Sequence, residues 1–133
     1  MDELFSDGAN FRAYRMQLGA TLLDVAFALD VNVKSVKHWE RNVNEIPDDA
    51  WLLLDSWENE QQYVYSRLID QAEETDGVVE LPLYTNQRQY ERHSGMRQAM
   101  RSYNRYNAAM FLAAGDIEGR GQAVGYYYPG EDD

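Results

Sequence analysis

A mainly α chain is what the amino-acid sequence predicts: an N-terminal bundle of short helices, one long connecting helix, and a small α+β module after it. Three observations carry that expectation. Short segments place apolar residues at helical spacing, each opened by a capping side chain and closed by a turn residue. A single stripe of the same spacing runs from Ala50 to Ala72, about six turns of helix. Only "VVELPLY" and "AVGYYY" have the composition of strands. The expected division is residues 1–57 for the first module, and 58–133 for the long-helix extension with the second.

Asp7 is expected to cap the first helix, in which Phe11, Tyr14 and Leu18 follow the 3, 4, 7 spacing and which Gly19 ends. Thr21 opens "TLLDVAFAL" with Asp24 three residues on, a Thr-x-x-Asp form of the capping box. Val25, Ala26 and Leu29 make its inner face. Asp30 stands at the turn, where a short polar side chain tolerates the left-handed backbone. Asn32 caps a third helix that turns Val36 and Trp39 inward, and Val31 is expected in the same core.

Pro47 suits the first turn of the long helix, and Asp48 and Asp49 suit the positive end of its dipole. Its stripe is Ala50, Leu53, Leu54, Trp57, Gln61, Val64, Tyr65, Leu68, Ile69 and Ala72. The far half needs cover from the C-terminal part or from a second chain. "TDG" breaks the helix, and "VVELPLY" reads as a strand with Pro82 at an edge position. A short helix "NQRQYERH" follows, then a longer one over about residues 96–114 whose inner stripe is Met96, Ala99, Met100, Tyr103, Tyr106 and Met110. Gly115, Gly119, Gly121 and Gly125 punctuate its end, before "AVGYYY" and an acidic tail.

The chain of 133 residues is 44% hydrophobic and 13% aromatic, enough apolar content to fold. It has no cysteine, which excludes disulfides and thiolate metal sites, and two histidines. The start "MDELFSDGANF" lacks the apolar core of a signal peptide, and no run reaches the roughly 18 apolar residues of a membrane span. A cytoplasmic chain without membrane association is the expectation.

Formal net charge is -11, and it is segregated. Residues 32–41 hold Lys34, Lys37 and Arg41 against Glu40, a local +2. Residues 88–105 hold Arg88, Arg92, Arg97, Arg101 and Arg105 against Glu91, a local +4. An acidic body disfavours indiscriminate nucleic-acid binding, because phosphate contact needs local positive charge. Concentrated cations on one helix supply attraction at one place.

Two helices of this length joined by a tight turn have the geometry of a helix-turn-helix. "YRMQLGATLLDVAFALDVNVKSVKHWERN" resembles the Cro and phage-repressor superfamily of DNA-binding domains over about residues 8–57. The shared features are Arg-x-x-Leu-Gly, Thr-x-x-x-Val-Ala-x-x-Leu and Val-Asn-x-x-Ser-Val-x-x-Trp-Glu-Arg. Further on, "IPDDAWLLLD", "LPLYTNQRQYERHSG" and "RSYNRYNAAMFLAAGDIEG" resemble the YdiL-like regulators and the anti-CRISPR-associated (Aca) repressors of phages and mobile elements. The chain departs from the pattern at Leu22, where a polar residue is usual, and at Asp30, in place of the turn glycine.

That resemblance implies a dimeric, sequence-specific regulator, a repressor that occupies an inverted repeat on double-stranded DNA and controls its own operon. It implies that the start and outer face of the third helix enter the major groove: Asn32, Val33, Lys34, Ser35, Lys37 and His38. Lys34 would donate to guanine O6 and N7, Ser35 to a base edge or phosphate, and Val33 would touch a thymine methyl. Arg41 and Asn42, beyond the helix, would hold phosphate. Arg15 and Glu40 would form a structural ion pair, and the second module would mediate homodimerisation.

Arg97, Arg101 and Arg105 fall at i, i+4 and i+8 and would line one face of the later helix. Two roles are open to them: pairing with acidic residues on the long helix, such as Asp70, Glu73 or Glu74, within or between subunits, or forming a second nucleic-acid surface with Tyr103 and Tyr106 available for stacking. No catalytic constellation, metal site, cofactor or small-molecule effector is expected, since the chain has no Gly-rich phosphate loop, Cys nucleophile or histidine cluster. A binding module of another class, an antitoxin whose acidic flank holds a basic toxin, would use the same fold.

Overall fold

The computed structural model describes residues 6–130, which fall into two compact units divided between Glu58 and Asn59. The order of elements is α1 (Asp7–Gln17), α2 (Leu22–Leu29), α3 (Val33–Glu40), α4 (Asp48–Glu73), β1 (Val79–Pro82), α5 (Gln87–His93), α6 (Tyr103–Gly119) and β2 (Val124–Tyr127). The fold is mainly helical, with one two-stranded parallel sheet among the described residues. None of these helices is long and apolar enough to cross a membrane.

The first unit is set by its caps. Ser6, not Asp7, is the N-cap of α1: its hydroxyl accepts from the Ala9 amide, and Asp7 lies inside the first turn, where its charge complements the helix dipole. The Thr21–Asp24 capping box closes reciprocally, at 3.0 Å from the Asp24 amide to Thr21 Oγ1 and 2.8 Å from the Thr21 amide to Asp24 Oδ2. Asp30 ends α2 in the left-handed conformation at φ 55°, ψ 48°. Pro47 lies just before α4, where its carbonyl accepts from the Ala50 amide.

Phe11, Leu18, Val25, Ala26, Val36, Trp39, Ile46, Ala50, Leu54 and Trp57 form this unit's core, with Leu29 and Leu53 packed at its margin. Phe11 stands edge-on to both Trp39 and Trp51, at centroid distances of 6.2 and 5.2 Å. Val31 is not part of it. The left-handed turn at Asp30 carries Val31 outward, and it stays exposed.

In the second unit, the far half of α4 is covered by the same chain. Val64, Leu68, Ile69 and Ala72 share a core with Val79 and Leu81 of β1, Tyr90 of α5, and Tyr106, Ala109, Met110, Ala113 and Ile117 of α6. β1 and β2 pair in parallel, Val79 opposite Val124, a pairing that needs the crossover α5 and α6 provide. The amides of Val79 and Leu83 donate to the Ala123 and Tyr127 carbonyls. By the alternation of a strand, Pro82's missing N–H then falls on the open side.

The helix expected over residues 96–114 begins later and ends later. Residues 95–99 form a turn, and Ser102 caps α6 by accepting from the Arg105 amide at 3.3 Å. Gln87 of α5 fixes that start: its Nε2 donates to the Arg101 carbonyl at 2.6 Å, and its Oε1 accepts from the Tyr103 amide at 3.0 Å. Gly115 and Gly119 lie within α6, and Gly121, at φ 90°, makes the turn after it. Gln122 then reaches back to the Ala72 and Thr75 carbonyls, satisfying the end of α4.

Candidate nucleic-acid interface

α3 is held from behind and open in front. Val36 and Trp39 are buried, while Lys34 and Lys37 are exposed and Val33, Ser35 and His38 are half-buried. Asn32 caps the helix by accepting from the Lys34 amide at 2.8 Å, which stops the chain from unwinding where Val33 and Lys34 are presented. Lys37 and His38 occupy the last turn, the negative end of the helix dipole, which favours the Lys37 charge. Arg41 is the exposed C-cap.

Glu40 places a carboxylate beside these cations, and its charge is cancelled locally. Arg15 Nε donates to Glu40 Oε2 at 2.7 Å and Arg15 Nη2 to Oε1 at 3.0 Å, a two-pronged pair shielded from solvent. The third prong, Nη1, donates to the Ala20 carbonyl at 2.9 Å. Arg15 therefore ties α1, the start of α2 and the end of α3 together.

Asn42 has a structural task that the sequence reading missed. It adopts φ 62°, and its Oδ1 accepts from the Gly8 amide at 2.9 Å. Gly8 packs so closely on the end of α3 that a Cβ there would lie 2.4 Å from the Glu40 carbonyl oxygen. The signal was a glycine in the first turn of a helix, a position where only close approach of another backbone compensates for its poor helix propensity. Tyr14 does more than pack at the margin of the core. Its hydroxyl also donates toward Asp55 at 2.7 Å and Glu58 at 3.1 Å, and burial followed by these two hydrogen bonds holds the phenol well above its usual pKa.

The second basic stretch does not form a surface of three arginines. Because α6 starts at Tyr103, Arg97 lies in the preceding turn and Arg101 just before the cap, so the i, i+4, i+8 face does not exist. Arg97 donates to the Ser94 carbonyl at 2.9 Å. Arg105 is buried, with Nη1 2.7 Å from Glu60 Oε1. The expected pairing with an acidic residue of the long helix is therefore seen at Arg105, with Glu60 as the partner. Arg97 and Arg101 share a shallow cleft with Glu91 and Gln98.

Of the tyrosines expected to be available for stacking, Tyr103 is partly buried against the core and Tyr106 is buried against Tyr84 and Tyr90, at centroid distances of 5.4 and 5.5 Å. The Tyr90 hydroxyl donates to the Met100 carbonyl, and burial pushes its pKa up to about 12. Among the described residues no three of His, Cys, Asp and Glu converge as a metal site. No protein-family profile matches the chain and no curated protein matches it significantly.

Proposed function

We propose that the chain is a sequence-specific DNA-binding regulator in which α2 and α3 act as a helix-turn-helix and α3 enters the major groove. The observation that carries this is the division of α3 into a fixed inner face and an outer face of Lys34, Lys37 and His38, continued by Arg41, on a chain of net charge -11. Lys34 and His38 lie one turn apart at the centre of the outer face, so they read bases, with Val33 and Ser35 beside them. Asn32 positions them through its cap.

Few cations per subunit on an acidic chain give weak attraction, so the working form is a homodimer with half-sites about 34–36 Å apart or a multiple of that spacing. Exposed Phe111 and Tyr126, in ring contact at 6.1 Å, with exposed Leu112 beside Phe111, offer apolar surface on the second unit for such an interface. The proposed action is repression of a cytoplasmic promoter by occupancy of an inverted repeat. Selection of bound duplexes from a random pool tests it: an enriched inverted repeat is the expected result, and no enrichment by the folded protein is the contrary one.

One observation favours a protein partner instead. Leu23 and Phe27, one turn apart on α2, are 67% and 80% exposed. In that case a basic protein would copurify in fixed ratio with the chain, and Phe27→Asp would release it while leaving the melting temperature unchanged.

A further inference from the structure

Between α1 and α3 lies a small cleft of about 160 Å³, lined by Arg12, Arg15, Leu22, Lys37, Glu40 and Arg41. Its walls hold four positive side chains and one negative, a net of +3. Arg15 and Glu40 neutralise each other, and all three prongs of the Arg15 guanidinium are occupied. The excess charge therefore resides on Arg12, Lys37 and Arg41, all exposed at the rim. Arg12 comes from α1, one turn before Arg15. Lys37 comes from α3 and Arg41 from its C-cap one turn on, both on the flank that faces α1.

Three like charges around one small opening repel each other, a cost that a bound anion removes. At about 160 Å³ the cleft has room for a tetrahedral oxyanion. Leu22 adds an apolar wall that limits solvent. We infer that Arg12, Lys37 and Arg41 clamp one backbone phosphate of the duplex, an inference that rests on α3 being the helix that meets DNA.

This assigns Lys37 to holding and leaves base reading to Lys34 and His38. The buried Arg15–Glu40 pair acts as a positioning element: it fixes α1 against α3, and so sets the distance between Arg12 and the two α3 cations. Phosphate contacts set register and affinity but carry no sequence information.

The test is duplex binding by the full chain over a salt series, using the duplex enriched from the random pool and a scrambled duplex of equal length. The triple variant R12Q/K37Q/R41Q is expected to lose affinity for both duplexes by the same factor, about tenfold or more near 0.1 M salt. Its log–log salt slope should shrink by about 0.9 per subunit, with the selected sequence unchanged. Lys34→Gln, in contrast, should alter the selected sequence.

A triple variant with wild-type affinity and slope overturns the clamp, and so does one whose preferred sequence changes, since its cations would then be reading bases. Wild-type protein that retains no duplex overturns the DNA-binding proposal itself and the clamp with it. Wild-type binding beside an unaffected variant sinks the clamp alone. Should the triple variant fail to fold, Arg12→Gln on α1 gives the same readout with α3 untouched.

Discussion

Residues 32–41 and residues 88–105 look alike in sequence, each a basic island in an acidic chain, and the second is the more charged. The structure treats them in opposite ways. In the first unit Lys34, Lys37 and Arg41 stay outside, because the interior of α3 is already filled by Val36 and Trp39 and its carboxylate is held by Arg15. In the second unit Arg105 goes inside onto Glu60, Arg97 folds onto a carbonyl, and Tyr106, a candidate for stacking on bases, packs on Tyr84 and Tyr90. Cationic spacing makes an exposed basic face only where one helix runs unbroken beneath it.

The largest effect that would break this contrast is at the two buried ion pairs. Glu40→Ala strands Arg15 in the interior, and the expected cost is about 3–5 kcal/mol in denaturant unfolding. Glu60→Ala takes the carboxylate away from Arg105 Nη1, and a smaller loss is expected in the same measurement, because Glu60 retains 34% of its side-chain exposure and the pair is partly solvated.

Next in size is the backbone junction. Gly8→Ala would drive a methyl into the Glu40 carbonyl at 2.4 Å, so α1 must shift, and a loss of about 1–3 kcal/mol is expected in the same measurement. Asn32→Ala removes the α3 cap and should cost about 1 kcal/mol, with a matching fall in duplex affinity as Lys34 loses its fixed position. Surface arginines set the lower limit: Arg97→Gln with Arg101→Gln should change stability by no more than about 0.5 kcal/mol and leave duplex affinity alone.

The two units should also part company at alkaline pH. Burial raises the phenol pKa of Tyr84, Tyr90 and Tyr106, to about 12 for Tyr90. Unfolded tyrosine ionises near 10, so this contribution to stability is complete below pH 10 and is lost as pH rises from there through about 12. The first unit has Tyr14 as its counterpart, and Tyr14→Phe removes that contribution. Trp39, Trp51 and Trp57 all lie in the first unit, so tryptophan fluorescence reports on it and tyrosine near-ultraviolet dichroism chiefly on the second. In the Tyr14→Phe protein the tyrosine signal should collapse at the lower pH. Coincident loss of both signals would show that the tyrosine cluster does not set the second unit apart.

Local chemistry made much of the first unit legible. The Thr21–Asp24 box, the left-handed Asp30 and the Asn32 cap each involve residues within three positions of one another, so their hydrogen bonds can be read from spacing. The second unit depends on partners far away in sequence. Met96, Ala99, Met100 and Tyr103 fit a helical stripe, yet Gln87 holds the backbone at Arg101 and Tyr103, and α6 cannot start earlier. The parallel pairing of Val79 with Val124 is equally remote. At the candidate site the outer residues of α3 were legible from periodicity. The Gly8–Asn42 tie and the cleft beside Arg12 were not, because each joins α1 to the end of α3.

The central claim is that the exposed end of α3, and not the arginines of residues 97–105, meets DNA. Titrating the isotope-labelled chain with the enriched duplex and following backbone amide resonances tests it most directly. The account expects the largest shifts at residues 32–38, smaller ones around Arg12 and Arg41, and little change at residues 97–105. Maximal shifts at residues 97–105, with residues 32–38 unmoved, would contradict it.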